Sequence, residues 1–447
     1  MLKYEQLIQD MEGRIERGDF KDGHKLPPIR TLAEQYECSK STVINAYDEL
    51  ERRHLIYSIP KSGYYVVKRD NRSEQQEPSA MIDLTSAAPD PSVFPYVDFQ
   101  HCINKAIDMY QNDLFQYGTP SGLPSLIRVL HKQLANYQVF AKPHQICITS
   151  GIQQALAILT SMPFPNQKKT VLIEQPSYHL YIQLLETYGV PVIGIKRTAQ
   201  GIDFDELERL FRTGNIKLFY TMPRFHNPLG TSYSTREKKI LAELAEKYDV
   251  YIVEDDYLAD LEDDPKSDPI YAYDSSAHVI YLKSYSKILF PGLRVGAAVV
   301  PPVLADTFNK YKKLQDIDSS MLSQAALEIY IQSGMFNRHK QKIQAVYKRR
   351  MEHLTRALDR EGDIEFAPLH KGAHTHIAIR EPISITALKE RLLKKHVRLD
   401  SADTYYLSGF PKESLIRLSI SNVKDEHIEQ TAGLIAGTIR SLRRAPF

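Results

Sequence analysis

Apolar residues along this chain follow two different rhythms. In the first part they recur at helical spacing. Tyr4, Leu7, Ile8, Met11 and Ile15 share one face of a helix predicted from Lys3 to Gly18. Pro27-Pro28 opens a second helix, IRTLAEQY, because proline is tolerated in a first turn. After a break at Glu37-Cys38, Ser39 is a good N-cap for a third, KSTVINAYDELERRH. The run LIYSIPKSGYYVV then reads as two short strands with a turn at Pro60 to Gly63. From Met81 onward short apolar runs alternate with helical stretches: QICITS with GIQQALAILTSM, TVLIEQP with SYHLYIQLLETYG, then VYIVEDD, HVIYLKSYS and RVGAAVV. That alternation predicts an α/β domain around a mostly parallel sheet. Past about residue 330, a long charged helix from Phe336 to Glu361 leads into shorter elements, which read as a smaller C-terminal α+β subdomain.

Between the two rhythms, residues 69–80 (RDNRSEQQEPSA) hold almost nothing apolar and read as a linker. The expected organisation is therefore an N-terminal domain over 1–68, the linker, and a domain over 81–447 whose large subdomain runs to about 330 and whose small one covers about 331–447. No internal repeat is visible.

Composition narrows the classes. A chain of 447 residues exceeds one ordinary core, and 43% hydrophobic with 25% charged residues is a soluble globular balance. No apolar run approaches the roughly 18 residues that span a bilayer, and Leu2 to Asp10 is too polar for a signal peptide. Cys38, Cys102 and Cys147 are odd in number and far apart, against a disulfide framework or a zinc site. A cytoplasmic setting follows as the expectation. The net charge of +2 decides nothing about nucleic acid.

Two helices joined by a tight turn, the second starting with small polar residues, is the helix-turn-helix plan, and the strand pair after it would be a wing. Periodicity alone equally allows a three-helix domain that binds protein or merely folds. The stretch LPPIRTLAEQYECSKSTVINAYDELERRHLIYSIPKSGYYVV resembles the GntR-type winged helix over nearly its whole length. It departs at Pro28, at Lys40 where arginine is usual, at His54 where a glycine ends the helix, and in keeping only Gly63 of the wing's glycine pair. The resemblance implies a double-stranded DNA operator as partner, contacted by Arg30, Ser39, Lys40, Thr42 and Gly63. The first four stand at helix starts, where side chains and backbone N–H groups meet phosphates and base edges.

The strongest chemical signal is SYSKILFPGLRVG, residues 284–296, after the strand HVIYLK. A Schiff-base lysine needs cations and hydroxyls nearby if its partner carries a phosphate, and Lys287 has Ser284 three residues before it and Arg294 seven after. Alone the string is weak, since surface lysines are common. TSGIQQAL (149–156) puts a small-residue turn before a helix, with the N–H groups of Gly151, Ile152 and Gln153 suited to an anion, or else forms an ordinary βα turn. MPRFHNPLGTS supplies Asn227, and VYIVEDDYLADL ends a buried strand in Asp255 and Asp256, either of which by itself reads as a helix cap. Tyr178 follows a strand in EQPSYHLY.

Taken together, and in this order, the motifs resemble the fold-type I aminotransferases over nearly all of residues 81–447. The resemblance implies pyridoxal 5′-phosphate (PLP) as cofactor, with Lys287 as the Schiff-base lysine and Asp255 on the pyridine nitrogen. It gives Asn227 and Tyr257 the 3′ oxygen, Tyr178 the ring face, and Ile152, Gln153, Ser284 and Arg294 the phosphate. Arg417, in IRLSISN, matches an arginine that clamps an α-carboxylate, and Tyr117, in YGTPSGLPSL, one that reaches a partner subunit's phosphate. Ala87 replaces a glycine often found ahead of Pro-Asp. Leu180 stands where some relatives carry an arginine for a distal carboxylate, which argues against a dicarboxylate or γ-amino acid effector. His374 and His376 read as strand surface residues, and no metal site is expected.

A winged helix, a linker and an aminotransferase-like domain is the arrangement of the MocR/GabR regulators, and the whole chain resembles that family. The implied function is a PLP-dependent transcription regulator that senses an amino acid, an amine or PLP itself through aldimine formation on Lys287. A head-to-tail homodimer is the implied assembly. Two alternatives remain at this point: an active aminotransferase with an accessory DNA-binding domain, and a DNA-binding protein whose large domain is only a dimerisation scaffold.

Overall fold

A computed structural model describes residues 3–20, 23–53, 55–59, 62–67, 81–264, 266–362, 364–367, 371–379 and 383–444. The expected linker over 69–80, His54, and the Pro60 and Lys61 part of the wing turn lie outside them. The chain forms two compact units, Met1–Ala80 and Met81–Phe447.

In the first unit, helices α1 (Lys3–Glu16), α2 (Ile29–Gln35) and α3 (Lys40–Arg52) precede strands β1 (Ile56–Ile59) and β2 (Gly63–Val66). The apolar stripe predicted on α1 is the one it buries: Leu7, Ile8, Met11 and Ile15 join Leu32, Val43, Tyr47, Leu50, Ile56 and Val66 in one core, with Tyr4 against its edge. Ser39 caps α3, its hydroxyl accepting from the Thr42 N–H at 3.1 Å. β1 and β2 pair antiparallel, placing Tyr57 opposite Tyr65 with their rings stacked.

The second unit opens on a short strand, β3 (Ile82–Asp83). Its main sheet uses β4 (Ile146–Thr149), β5 (Thr170–Gln175), β6 (Val192–Thr198), β7 (Gly201–Ile202), β8 (Ile216–Thr221), β9 (Tyr251–Asp255), β10 (Val279–Ser284) and β11 (Gly296–Val299). The order is β4-β11-β10-β9-β8-β5-β6-β7. The five central strands β10, β9, β8, β5 and β6 are parallel, while β11 runs against both its neighbours. β8, β9 and β10 are buried at every position, because helices cover both faces of a parallel sheet.

The smaller subdomain holds β12 (Glu365–Phe366), β13 (His374–Ala378), β14 (Val397–Arg398), β15 (Asp400–Ser401) and β16 (Leu415–Ser419). Four of these make an antiparallel sheet, β12-β13-β16-β15, backed by helices Met335–Glu361 and Asp425–Arg444. It also recruits the start of the unit. β3 pairs in parallel with β14, the Ser419 N–H donates to the Leu84 carbonyl at 2.9 Å, and Asp90 meets Arg350 at 2.7 Å. A subdomain drawn over about 331–447 omits this strand, since a two-residue strand leaves no pattern to read.

His374 and His376 lie on a strand but are not surface residues. Both are buried, because their face of β13 meets the loop that carries Asn227: His374 Nε2 donates to the His226 carbonyl at 3.0 Å and His376 Nδ1 to the Leu229 carbonyl at 2.8 Å. Among the described residues, no helix is long and apolar enough to cross a membrane.

Candidate functional site

Parallel strands deliver their C-terminal ends to one edge of a sheet, and ligands bind in the crevice there. Asp255 ends β9, Ser284 ends β10, Tyr178 follows β5 and Asn227 follows β8. With Ile152, Gln153, Tyr257, Lys287 and Arg294 they line one cavity of about 420 Å³, whose other wall carries Arg417, Asp400 and Tyr405 of the smaller subdomain.

The turn after β4 is shaped for close approach. Gly151, at φ +87°, caps helix Ile152–Ser161, and a Cβ there would lie 2.6 Å from Arg294 Nη2. Arg294 in turn donates to the Ser150 carbonyl at 2.7 Å. A helix N-terminus, an arginine and Ser284 thus converge on one end of the cavity, an arrangement suited to a phosphate.

At the other end, Asp255 is buried and its Oδ2 accepts 2.7 Å from the Tyr220 hydroxyl. Burial pushes its carboxyl up to about 7, with the Tyr220 hydrogen bond opposing and Asp256 adding. The two neighbouring acids differ in their contacts. Asp256 accepts from the Arg224 guanidinium and the Tyr281 hydroxyl, while Asp255 lines the cavity. Lys287 is brought down to about 8, mainly by burial and further by Arg417, and its ammonium donates to the Ala87 carbonyl at 3.0 Å. Burial pushes Tyr178 up to about 12. Tyr257 donates to the Phe225 carbonyl at 2.7 Å, two residues from Asn227.

Asp255 Oδ1 and Asn227 Oδ1 are buried with no hydrogen-bond partner among the described residues. A buried polar oxygen left unpaired costs roughly 1–3 kcal/mol, so two in one cavity argue for a ligand that supplies donors. A protonated pyridine ring with a neighbouring oxygen substituent and a phosphate tail meets these requirements. The residues present fit PLP.

Arg417, on β16, is buried, with Nη1 donating to the Thr85 carbonyl at 3.1 Å and Nε unpaired among the described residues. Tyr117 is 82% exposed and stands outside the cavity of its own chain. In the first unit, Arg30, Ser39 and Lys40 are exposed and Thr42 is half-buried at the start of α3. Gly63 adopts φ +116°, and a Cβ there would press on Lys25 at 3.1 Å. Sequence reasoning missed Tyr220, His179, Asp400, Tyr405 and Thr85. Tyr220 sits inside a strand buried at every position and Asp400 on a two-residue strand, so neither carries a motif.

Residues 80–435 match the family model for aminotransferase class I and II, and residues 3–66 match that for bacterial regulatory proteins of the gntR family, a class of domain that binds DNA. The chain is 56% identical over 441 residues to the uncharacterized HTH-type transcriptional regulator YcxD of Bacillus subtilis (strain 168), spanning 97% of this chain and 99% of that one. It is 27% identical over 379 residues to the probable rhizopine catabolism regulatory protein MocR of Rhizobium meliloti, across 78% of this chain and 76% of that one. The crystal structure of Pyrococcus horikoshii kynurenine aminotransferase in complex with PMP superposes with a TM-score of 0.75 at 28% identity, covering 83% of this chain and 93% of that one. Aminotransferases of this class depend on PLP. The chain therefore belongs to the aminotransferase class I and II family and, with a gntR-family domain at its N terminus, to the MocR-type regulators in which the two are fused.

Proposed function

We propose that this protein reads a DNA operator through its winged helix and senses an amino compound in the cavity of its larger unit, with PLP as the resident cofactor. The observation that carries this reading is the pair of unpartnered buried oxygens, on Asp255 and Asn227, in one cavity with Lys287 and Arg417. Lys287 would supply the amine that holds the cofactor. Its depressed pKa keeps a fraction unprotonated near neutral pH. Asp255 would hold a proton at the ring nitrogen, Asn227 and Tyr257 would orient the ring oxygen, and Tyr178 would cover the ring face. Ile152, Gln153, Ser284 and Arg294 bind the phosphate. PLP supplies an aldehyde that condenses with amines and a ring that withdraws electrons. Arg417 offers two parallel N–H donors to an α-carboxylate.

The protein acts as a dimer in the cytoplasm, head to tail, with Tyr117 reaching the partner subunit's cavity. Exposed apolar side chains from Tyr96 and Val97 through Met109 and Phe115 to Tyr117 support a subunit interface on this stretch. A ligand changes operator affinity only through its different affinity for two arrangements of that dimer.

The test is a spectral titration of the PLP-loaded protein with a panel of amino acids, in wild type and Arg417→Ala. The variant should keep the cofactor spectrum and lose the ligand-induced shift. Equal shifts in both would mean that the effector is an amine without a carboxylate, or PLP alone. The intact set of Lys287, Asp255 and Arg417 also favours a second reading, an active aminotransferase. Keto-acid formation at a rate unaffected by deleting the winged helix would favour that reading.

A further inference from the structure

Arg417 is flanked by two other polar side chains across the small sheet. In the antiparallel ladder it lies directly opposite His376 of β13 on one side and Asp400 of β15 on the other. Residues opposed in this way project from the same face, with Cβ atoms about 4.5–5.5 Å apart. Arg417 and Asp400 both line the cavity. Asp400 is half-buried, and its nearest cation is Lys389, at 3.9 Å. Among the described residues no hydrogen bond reaches its carboxylate.

Across from them stands His179, its ring edge-on to Tyr405 at 5.1 Å and its Nδ1 buried without a partner among the described residues. Burial lowers the pKa of this imidazole, Asp400 pulls it the other way, and Arg417 and Lys287 act with burial. One ring thus feels Asp400, Arg417 and Lys287 together. Leu180, the next residue, contributes an apolar side chain and no charge.

We infer that this wall selects an amino acid whose side chain carries a cationic or hydrogen-donating group, with Arg417 on the α-carboxylate, Asp400 on the side-chain group and His179 beside it. The inference rests on the sensing role proposed for the cavity. An acidic side chain would be brought against the Asp400 carboxylate, which itself faces the neighbouring cation Lys389 at 3.9 Å. An apolar one would strip water from a half-buried carboxylate and return nothing. A side-chain ammonium satisfies Asp400 with a charge-assisted hydrogen bond, worth about a tenfold gain in affinity.

The experiment titrates the PLP-loaded full-length protein with L-ornithine and L-lysine, their uncharged counterparts L-norvaline and L-norleucine, and L-glutamate, following the cofactor spectrum. Wild type should respond to a basic amino acid at about one-tenth the concentration needed for its uncharged counterpart, and least well to glutamate. Asp400→Asn should reduce that preference to less than about threefold while keeping the response to the uncharged ligands. Wild type favouring an apolar or acidic ligand would overturn the assignment, as would an Asp400→Asn protein that keeps the preference for the basic one. A wild type that responds to none of the five would overturn an amino acid as the ligand of this cavity, and a uniform response to all five would overturn only the part given to Asp400.

Discussion

Tyr220 donates a 2.7 Å hydrogen bond to Asp255 Oδ2 in the fully buried interior of the sheet. The bond fixes one oxygen of the carboxylate and leaves Oδ1 as the one without a partner. It also opposes the upward push of burial on the Asp255 carboxyl. Tyr220→Phe removes both effects with little change in shape. It should weaken cofactor binding about tenfold, the scale of one hydrogen bond to a charged group. Equal cofactor affinity in the two proteins, measured by fluorescence or absorbance titration, would show that Tyr220 only fills space.

The same carboxyl gives a pH dependence with a definite sign. In the cofactor-free protein Asp255 titrates at about 7, against about 3.9 for an unfolded chain. The folded state therefore holds this proton more tightly. The stability it contributes is full below the unfolded value and is lost as pH rises through 7. Cofactor-free Asp255→Asn should accordingly gain on wild type in melting temperature between pH 5 and pH 8. Glu254, also pushed up to about 7 by burial, is common to both proteins and cancels in the comparison. An identical difference at the two pH values would mean that Asp255 does not titrate in this range.

Replacing Lys287 with alanine should abolish covalent attachment of the cofactor. Borohydride treatment of the wild type should fix PLP to the peptide containing Lys287, readable by mass spectrometry. An adduct persisting in Lys287→Ala would assign the chemistry to another lysine.

On the DNA-binding unit, capping and contact are separable. Ser39→Ala removes the acceptor for the Thr42 N–H and should cost about 1 kcal/mol of stability, whereas Ser39→Asn, a comparable N-cap, should restore most of it. If Ser39 also touches DNA, the asparagine variant will recover the fold but not the full operator affinity. Lys40→Ala should reduce the salt dependence of binding by about one phosphate contact, a slope change of roughly 0.9. Footprinting and a salt titration read both outcomes, and an unchanged slope would exclude Lys40 from the phosphate backbone.

The residues legible in the sequence were those whose chemistry demands a local motif. Ser39 announces a helix start, Gly151 a turn that tolerates no Cβ, and Lys287 comes with Ser284 and Arg294 at fixed offsets. Long elements were legible for a similar reason, since helix Met335–Glu361 repeats its pattern over 27 residues. What escaped was whatever depends on contacts between distant segments. His374 and His376 alternate with their neighbours as surface residues do, and only the packing of β13 on the Asn227 loop buries them. Asp400 faces Arg417 through a pairing of two residues, too short to leave a period.

Arg417 holds the carbonyl of Thr85 from 332 positions along the chain, and Arg350 holds Asp90 from 260. These contacts set an order of folding. The winged helix completes its core by Val66 and can fold as soon as it leaves the ribosome, whereas strand Ile82–Asp83 waits for Val397 and Arg398 before it finds a neighbour. A chain interrupted shortly before Asp400 therefore carries a finished N-terminal domain and a pocket that lacks the wall of Asp400 and Arg417. On the proposed function, the operator-reading domain is built first and the sensing wall last, and truncated products are expected to occupy the operator without answering to the ligand.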